Sequence, residues 1–208
     1  MPKYNQLLLE MKRMRNTIVI PVNQKFFSNN DLKKYGFTQY KIRKLVDEGK
    51  LIKLNKSFYE NCEYKKEDSD FYYVKVYAPN GVVCLLSAAV YYNLTTFIPG
   101  SIDVAIPRKS KVSKIPERPR MNIHYFTDAR YNLGINVINK NDNEFKIYDI
   151  EKTVVDIVFY KEKIGIEETK EILINYLNRK ERNLNKLLKY SKMMKCEKIL
   201  RRYLEVLV

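Results

Sequence analysis

The residues best equipped for chemistry lie between Gln39 and Lys56. Gln39, Tyr40, Lys41, Arg43 and Lys44 fall on one side of a helical pattern, and Lys53 and Lys56 follow on a short basic hairpin pattern. Lysines neutralise phosphates, while an arginine fork or a glutamine amide can pair with base edges. Most of these groups sit in the first half of the helix, the end that such helices insert into the major groove. Asp47 shares that side a turn later, beyond the expected groove contact. The chemistry implied is recognition of double-stranded DNA.

The elements that must hold these residues run from Phe26 to Tyr59. Ser28 is placed to cap a helix, and Asp31 three residues on completes a pattern close to a capping box. Leu32 and Tyr35 give that helix an apolar side, and Tyr35-Gly36-Phe37 makes a turn. Thr38 caps a second helix, in which Ile42, Leu45 and Val46 recur at helical spacing. Gly49 ends it. Leu51 to Leu54, a turn at Asn55-Lys56-Ser57, and Phe58-Tyr59 read as a β-hairpin. Residues 4–15 place Leu7, Met11 and Met14 on one face, an expected first helix, whereas Thr17 to Val22 is open between helix and extended chain. Helix, turn, helix and basic wing in this order predict a winged helix-turn-helix. The plainer alternative is a helical hairpin with a solvated lysine face.

Charge supports the nucleic-acid reading. The chain has 208 residues and a formal net charge of +15, with 45% hydrophobic residues, enough for a folded core. Residues 1–66 hold 15 Lys/Arg against 6 Asp/Glu, so most of the excess lies with the winged pattern. A polyanionic partner follows, and DNA fits this distribution better than a membrane surface. No run approaches the ~20 apolar residues of a membrane span, and no signal-peptide pattern is present. Cys62, Cys84 and Cys196 are widely spaced and form no metal or CxxC pattern, as expected of reduced thiols in a cytoplasmic protein.

Cys62 to Asp70, CEYKKEDSD, reads as a boundary between residues 1–66 and residues 67–208. Phe71 to Tyr77 is open between strand and helix, Pro79-Asn80-Gly81 is a turn, and Val82 to Tyr92 reads as a buried helix. Strands are expected at Ile102–Ile106, Met121–Phe126, Gly134–Val137 and Phe145–Tyr148, interrupted by a proline-rich basic loop from Pro107 to Pro119. From about Ile150 the period is helical, with four helices to the end. The expected fold class is α+β: a winged helix-turn-helix, a small mixed α/β section to about residue 149, and a helical tail. That tail, from Glu167, holds 11 Lys/Arg against 6 Asp/Glu, with Lys189, Lys192 and Lys195 prominent.

Enzyme signatures are weak. His124 has no Ser or Cys beside it in sequence, and the six glycines are too dispersed for a phosphate-cradling loop. Asp103 with Glu144 and Lys146 is the best nuclease-like set, yet Glu-x-Lys recurs at Glu10, Glu48 and Glu168, as chance allows in a charged chain. No catalytic residue, metal ligand or cofactor is assigned. Glu151 and Asp156 admit two readings, a helix start with a buried ion pair, which is favoured, or a polar surface for a partner.

The run Asp31 to Phe37 followed by Ile42 to Lys53 resembles the DNA-binding domain of AbiEi antitoxins, from type IV toxin–antitoxin and abortive-infection systems of bacteria. Cys84-Leu85-Leu86-Ser87-Ala88-Ala89 resembles the helix that follows in that family, Ile102 to Pro107 the next strand, and Tyr148 to Asp156 its Glu-Arg/Lys-Thr segment. Ser57 stands where the family's wing carries glycine, and Lys152 where arginine is common. The resemblance implies an autoregulating repressor that binds operator inverted repeats, and an antitoxin, active in phage resistance, that opposes a nucleotidyltransferase-like toxin without a stable complex. Residues 67–208 would then be the antitoxin domain, with Lys189, Lys192, Lys195, Glu151 and Asp156 as its candidate surface. The alternative is a winged-helix regulator whose second domain binds a ligand or oligomerises.

Overall fold

The computed structural model describes residues 20–66, 69–112, 114–140 and 142–207, and the helix expected at 4–15 lies outside them. The fold is α+β. The chain forms two compact units, Met1–Asp68 with Lys140–Asn143, and Ser69–Asn139 with Glu144–Val208.

In the first unit, β1 (Phe26–Ser28) leads into α1 (Asn29–Lys34) and α2 (Gln39–Asp47), and β2 (Leu51–Lys53) and β3 (Phe58–Asn61) form a hairpin. The sheet is antiparallel in the order β1-β3-β2, with Phe27 opposite Tyr59 and Leu51 opposite Asn61. Local chemistry sets the helix starts. The Asp31 N–H donates to Ser28 Oγ at 3.1 Å, and the Ser28 N–H donates to Asp31 Oδ2 at 2.9 Å, a complete capping box. Each such cap is worth about 1 kcal/mol. Gly36, at φ 80, makes the turn that an L side chain would resist. The core gathers Phe27, Leu32, Phe37, Ile42, Leu51 and Tyr59. Asn143 Oδ1 accepts the Lys25 N–H at 2.9 Å, within this same unit.

The second unit begins with α3 (Tyr72–Tyr77), so the segment left open by pattern is helical. β4 (Val82–Val83) and α4 (Leu85–Tyr91) follow, dividing the single helix expected over Val82 to Tyr92. The reason is pairing: the two β-branched valines sit opposite Ala105 and Val104, and Val83 also faces Ile147. Gly81 lets this happen, because a Cβ there would lie 2.7 Å from Val104 Cγ1 and 2.7 Å from Val74 Cγ1. β5 (Ile102–Pro107), β6 (Met121–Phe126), β7 (Ile135–Lys140) and β8 (Asn143–Tyr148) complete a sheet in the order β6-β5-β4-β8-β7. β4 runs antiparallel to β5 and parallel to β8, and β5 runs parallel to β6. A short helix, α5 (Asp128–Tyr131), precedes β7.

Five helices close the chain: α6 (Ile150–Phe159), α7 (Lys161–Ile164), α8 (Ile166–Leu177), α9 (Leu184–Met193) and α10 (Glu197–Leu207). Every residue of α6 from Glu151 to Val158 is buried, the state of a helix packed on all sides. Val154, Val155, Ile157 and Val158 meet Ile172, Leu173, Leu187 and Leu200 in the main core. No helix among the described residues is long and apolar enough to cross a membrane.

Candidate nucleic-acid interface

Ile42, only 2% exposed, fixes the rotation of α2. The opposite side then presents Gln39, Tyr40, Arg43 and Lys44 to solvent, with Lys41 half-buried at its edge. Tyr40 is 78% exposed, unusual for an aromatic side chain in a folded unit. Between this face and the β2–β3 hairpin lies a groove of about 350 Å³, lined by Gln39, Tyr40, Arg43 and Lys53 over Val46 and Tyr59.

The hairpin tip is built by Asn55, whose Oδ1 accepts the N–H groups of Ser57 at 2.8 Å and Phe58 at 3.0 Å. Ser57 therefore needs no left-handed backbone where the resembling family carries glycine. Asn29 ties the tip to the start of α1: its N–H donates to Ser57 O at 2.9 Å, and its Nδ2 donates to Lys56 O at 2.9 Å. Lys53 and Lys56 are exposed. Among the described residues, Lys41, Arg43, Lys53 and Lys56 pair with no carboxylate, whereas Glu48 takes Lys50 at 3.1 Å and Lys44 at 3.8 Å. The Lys50 contact, with help from Lys44, holds the Glu48 carboxyl below its ordinary range.

The residues proposed for a second surface separate into two groups. Lys189, Lys192 and Lys195 are exposed, with Lys192 3.9 Å from Glu197. Glu151 and Asp156 are not on a surface: they are 4% and 0% exposed. The cause is the burial of α6 on all sides. Asp149 caps that helix by accepting the Lys152 N–H at 2.8 Å. Its Oδ2 also accepts the Tyr190 hydroxyl at 3.1 Å and pairs with Lys186 Nζ at 3.1 Å. Lys186 reaches Glu151 Oε2 at 3.0 Å, and the Tyr176 hydroxyl donates to Glu151 Oε1 at 3.3 Å. One turn on, the fully buried Lys152 ammonium pairs with Asp156 Oδ2, and Arg130 Nε stands 3.9 Å from Asp156 Oδ1. Burial pushes the Asp156 carboxyl up and the Lys152 ammonium down, and each charge opposes the other's shift. Lys152 lies 4.1 Å from the Tyr148 ring centre, and the Arg130 guanidinium 3.7 Å from that of Phe159. Most of these contacts tie α6 and its N-cap to neighbouring elements.

Asp103 and Glu144, considered together from sequence, have separate partners. Asp103 Oδ1 takes His124 Nε2 at 2.9 Å and Asn122 Nδ2 at 3.2 Å, while Glu144 pairs with Lys75 at 2.8 Å. Burial raises the Cys84 thiol well above its ordinary value and lifts Cys196 to about 11, so neither is a thiolate at neutral pH.

No protein-family model matches the chain, and no curated protein matches it. Among solved structures it is similar to the crystal structure of the RV2827C protein from Mycobacterium tuberculosis. The identity is 14% and the TM-score 0.44, over 88% of this chain and 76% of that one. A likeness of this depth transfers neither function nor partner.

Proposed function

We propose that this chain is a cytoplasmic DNA-binding repressor of the AbiEi antitoxin type, with a winged helix-turn-helix as its reading head. The observation that carries the DNA-binding part is the exposed side of α2, where Arg43, paired with no carboxylate among the described residues, lines a groove edged by the wing cation Lys53. Arg43 and Gln39 read base edges, Lys41, Lys44, Lys53 and Lys56 hold phosphates, and Tyr40 packs against the groove wall. The antitoxin part rests on the sequence blocks at residues 84–89, 102–107 and 148–156. In this reading the second unit opposes a nucleotidyltransferase-like toxin without a lasting complex, and the exposed Lys189, Lys192 and Lys195 are its candidate surface.

Two measurements test these parts separately. Fluorescence anisotropy with duplexes tiled across the DNA upstream of the chain's own gene should find one inverted-repeat segment bound at least 10³-fold more tightly than unrelated duplex. Equal affinity for all duplexes rejects the repressor. Co-expression with the product of the adjacent reading frame should rescue growth from that product. Growth arrest unrelieved by the chain rejects the antitoxin and leaves the repressor standing.

A further inference from the structure

The connection between β5 and β6 holds six Lys/Arg and one Asp/Glu in the thirteen residues from Arg108 to Arg120. Over residues 67–166 the counts are 13 and 12, so the rest of that stretch is acidic and averaging conceals the loop. Arg108, Lys109, Lys111, Lys114, Arg118 and Arg120 are all exposed, and none pairs with a carboxylate among the described residues. Cations of the helical tail behave differently: Lys170 meets Glu167 at 3.1 Å, Arg179 meets Glu181 at 2.6 Å, and Arg201 meets Glu197 at 2.8 Å. Self-repulsion in such a loop is relieved by a polyanion.

The loop's ends are anchored. The Arg108 N–H donates to Phe126 O at 2.8 Å, and the Ile102 N–H donates to Arg120 O at 2.8 Å. Because β5 and β6 are parallel and aligned from Ile102 opposite Met121 to Pro107 opposite Phe126, the loop must return along the whole strand length, roughly 17 Å. Its two ends are therefore held that far apart, and six cations spread between them suit a polymer better than a single phosphate. At the returning end lies a groove of about 480 Å³, a volume typical of small-molecule sites. Phe71, Val90, Ile98 and Pro119 give it apolar walls, and Asp70, Glu117, Arg118 and Arg120 line it with two acids and two bases. Carboxylates accept from exocyclic amines and guanidiniums donate to ring nitrogens and carbonyls, the edge chemistry of a nucleobase. A paired base cannot enter such a groove, and an acidic peptide would meet Asp70 and Glu117 there.

We propose that the loop Arg108–Arg120 and the groove at its end bind single-stranded nucleic acid, one unpaired base in the groove and the backbone along the loop. This surface uses no residue of the α2 face and stands whether or not that face binds an operator. The test uses the full chain carrying Arg43→Ala and Lys44→Ala, so that duplex binding through α2 is removed. Anisotropy is read with a labelled twelve-nucleotide single strand, the same strand made abasic, the matching duplex, and poly-glutamate as competitor. The single strand should bind, and Lys109→Ala/Lys111→Ala/Lys114→Ala should weaken it at least tenfold while an unchanged circular-dichroism melt shows the fold intact. The abasic strand and the duplex should each bind at least tenfold more weakly. No single-strand binding, or binding unchanged in the triple variant, overturns the proposal. Equal affinity for the abasic strand or the duplex, or equal competition by poly-glutamate, overturns it as well, leaving a general polyanion or acidic-protein surface.

Discussion

Two side chains on the first unit, Arg43 and Lys56, carry opposite expectations although both are exposed cations. Arg43 sits mid-helix beside the groove, so Arg43→Ala should cost roughly 1–3 kcal/mol at the operator and relax preference at one base position. Lys56 is at the wing tip, so Lys56→Ala should weaken all duplexes alike and reduce the salt slope by about 1. Competition binding over a set of single-base operator variants separates the two patterns. Lys186 gives a pH test. Partial burial lowers its pKa, but hydrogen bonds to Glu151 and Asp149 outweigh this and leave it raised. The folded state then holds the proton more tightly than the unfolded chain does. Its stabilisation is full below the unfolded lysine value of ~10.4 and is lost as pH climbs through the higher folded value. In urea denaturation, the stability gap between wild type and Lys186→Met should hold constant up to about pH 10 and narrow above it. A gap that stays constant would show that the pair contributes through packing alone.

At the scale of elements, α6 depends on its buried ion pair. Asp156→Asn leaves the Lys152 ammonium without its counter-charge and should destabilise the protein by about 3–5 kcal/mol, whereas Lys152→Met with Asp156→Leu should cost far less. Chemical denaturation of the two variants decides; equal losses would mean that the stranded charge is not what destabilises the helix. Gly134, at φ 73, packs under this helix start, and an added Cβ would lie 2.8 Å from Asp149 Oδ2 and 2.9 Å from Lys152 Cβ. These elements also show what a sequence makes legible. α1 and α2 were readable because Ser28, Asp31, Gly36 and Thr38 act within three or four residues of where they stand. The exposed face of α2 followed from the period of Ile42, Leu45 and Val46. β1 was not readable, since Phe26 to Ser28 become a strand only through Phe58 to Glu60, far along the chain. β4 depends likewise on Val104, Ala105 and Ile147. Asp149 finds Tyr190 41 residues on, so the distant partners of these carboxylates left no local trace, although the helix start with a buried ion pair was already the favoured reading of Glu151 and Asp156.

For the whole molecule, the net charge of +15 is unevenly placed, and salt should reveal where it acts. If Lys41, Arg43, Lys44, Lys53 and Lys56 each release about one counterion, operator affinity should fall roughly 10²–10³-fold between about 50 and 200 mM salt. Affinity flat across that range would contradict the assignment of these residues to DNA. Charge reversal at Lys189, Lys192 and Lys195 should leave operator binding unchanged and abolish growth rescue if the tail is the antitoxin surface; loss of operator binding alone would make the tail a DNA accessory. The division of the chain has its own consequence. Lys140–Asn143 belong to the first unit although the residues on either side belong to the second. One recombination event near residue 68 would therefore exchange only part of a unit, stranding four residues with a foreign partner. Exchanging first units between such chains requires two joined replacements, so the two units should be inherited together rather than traded as separate modules.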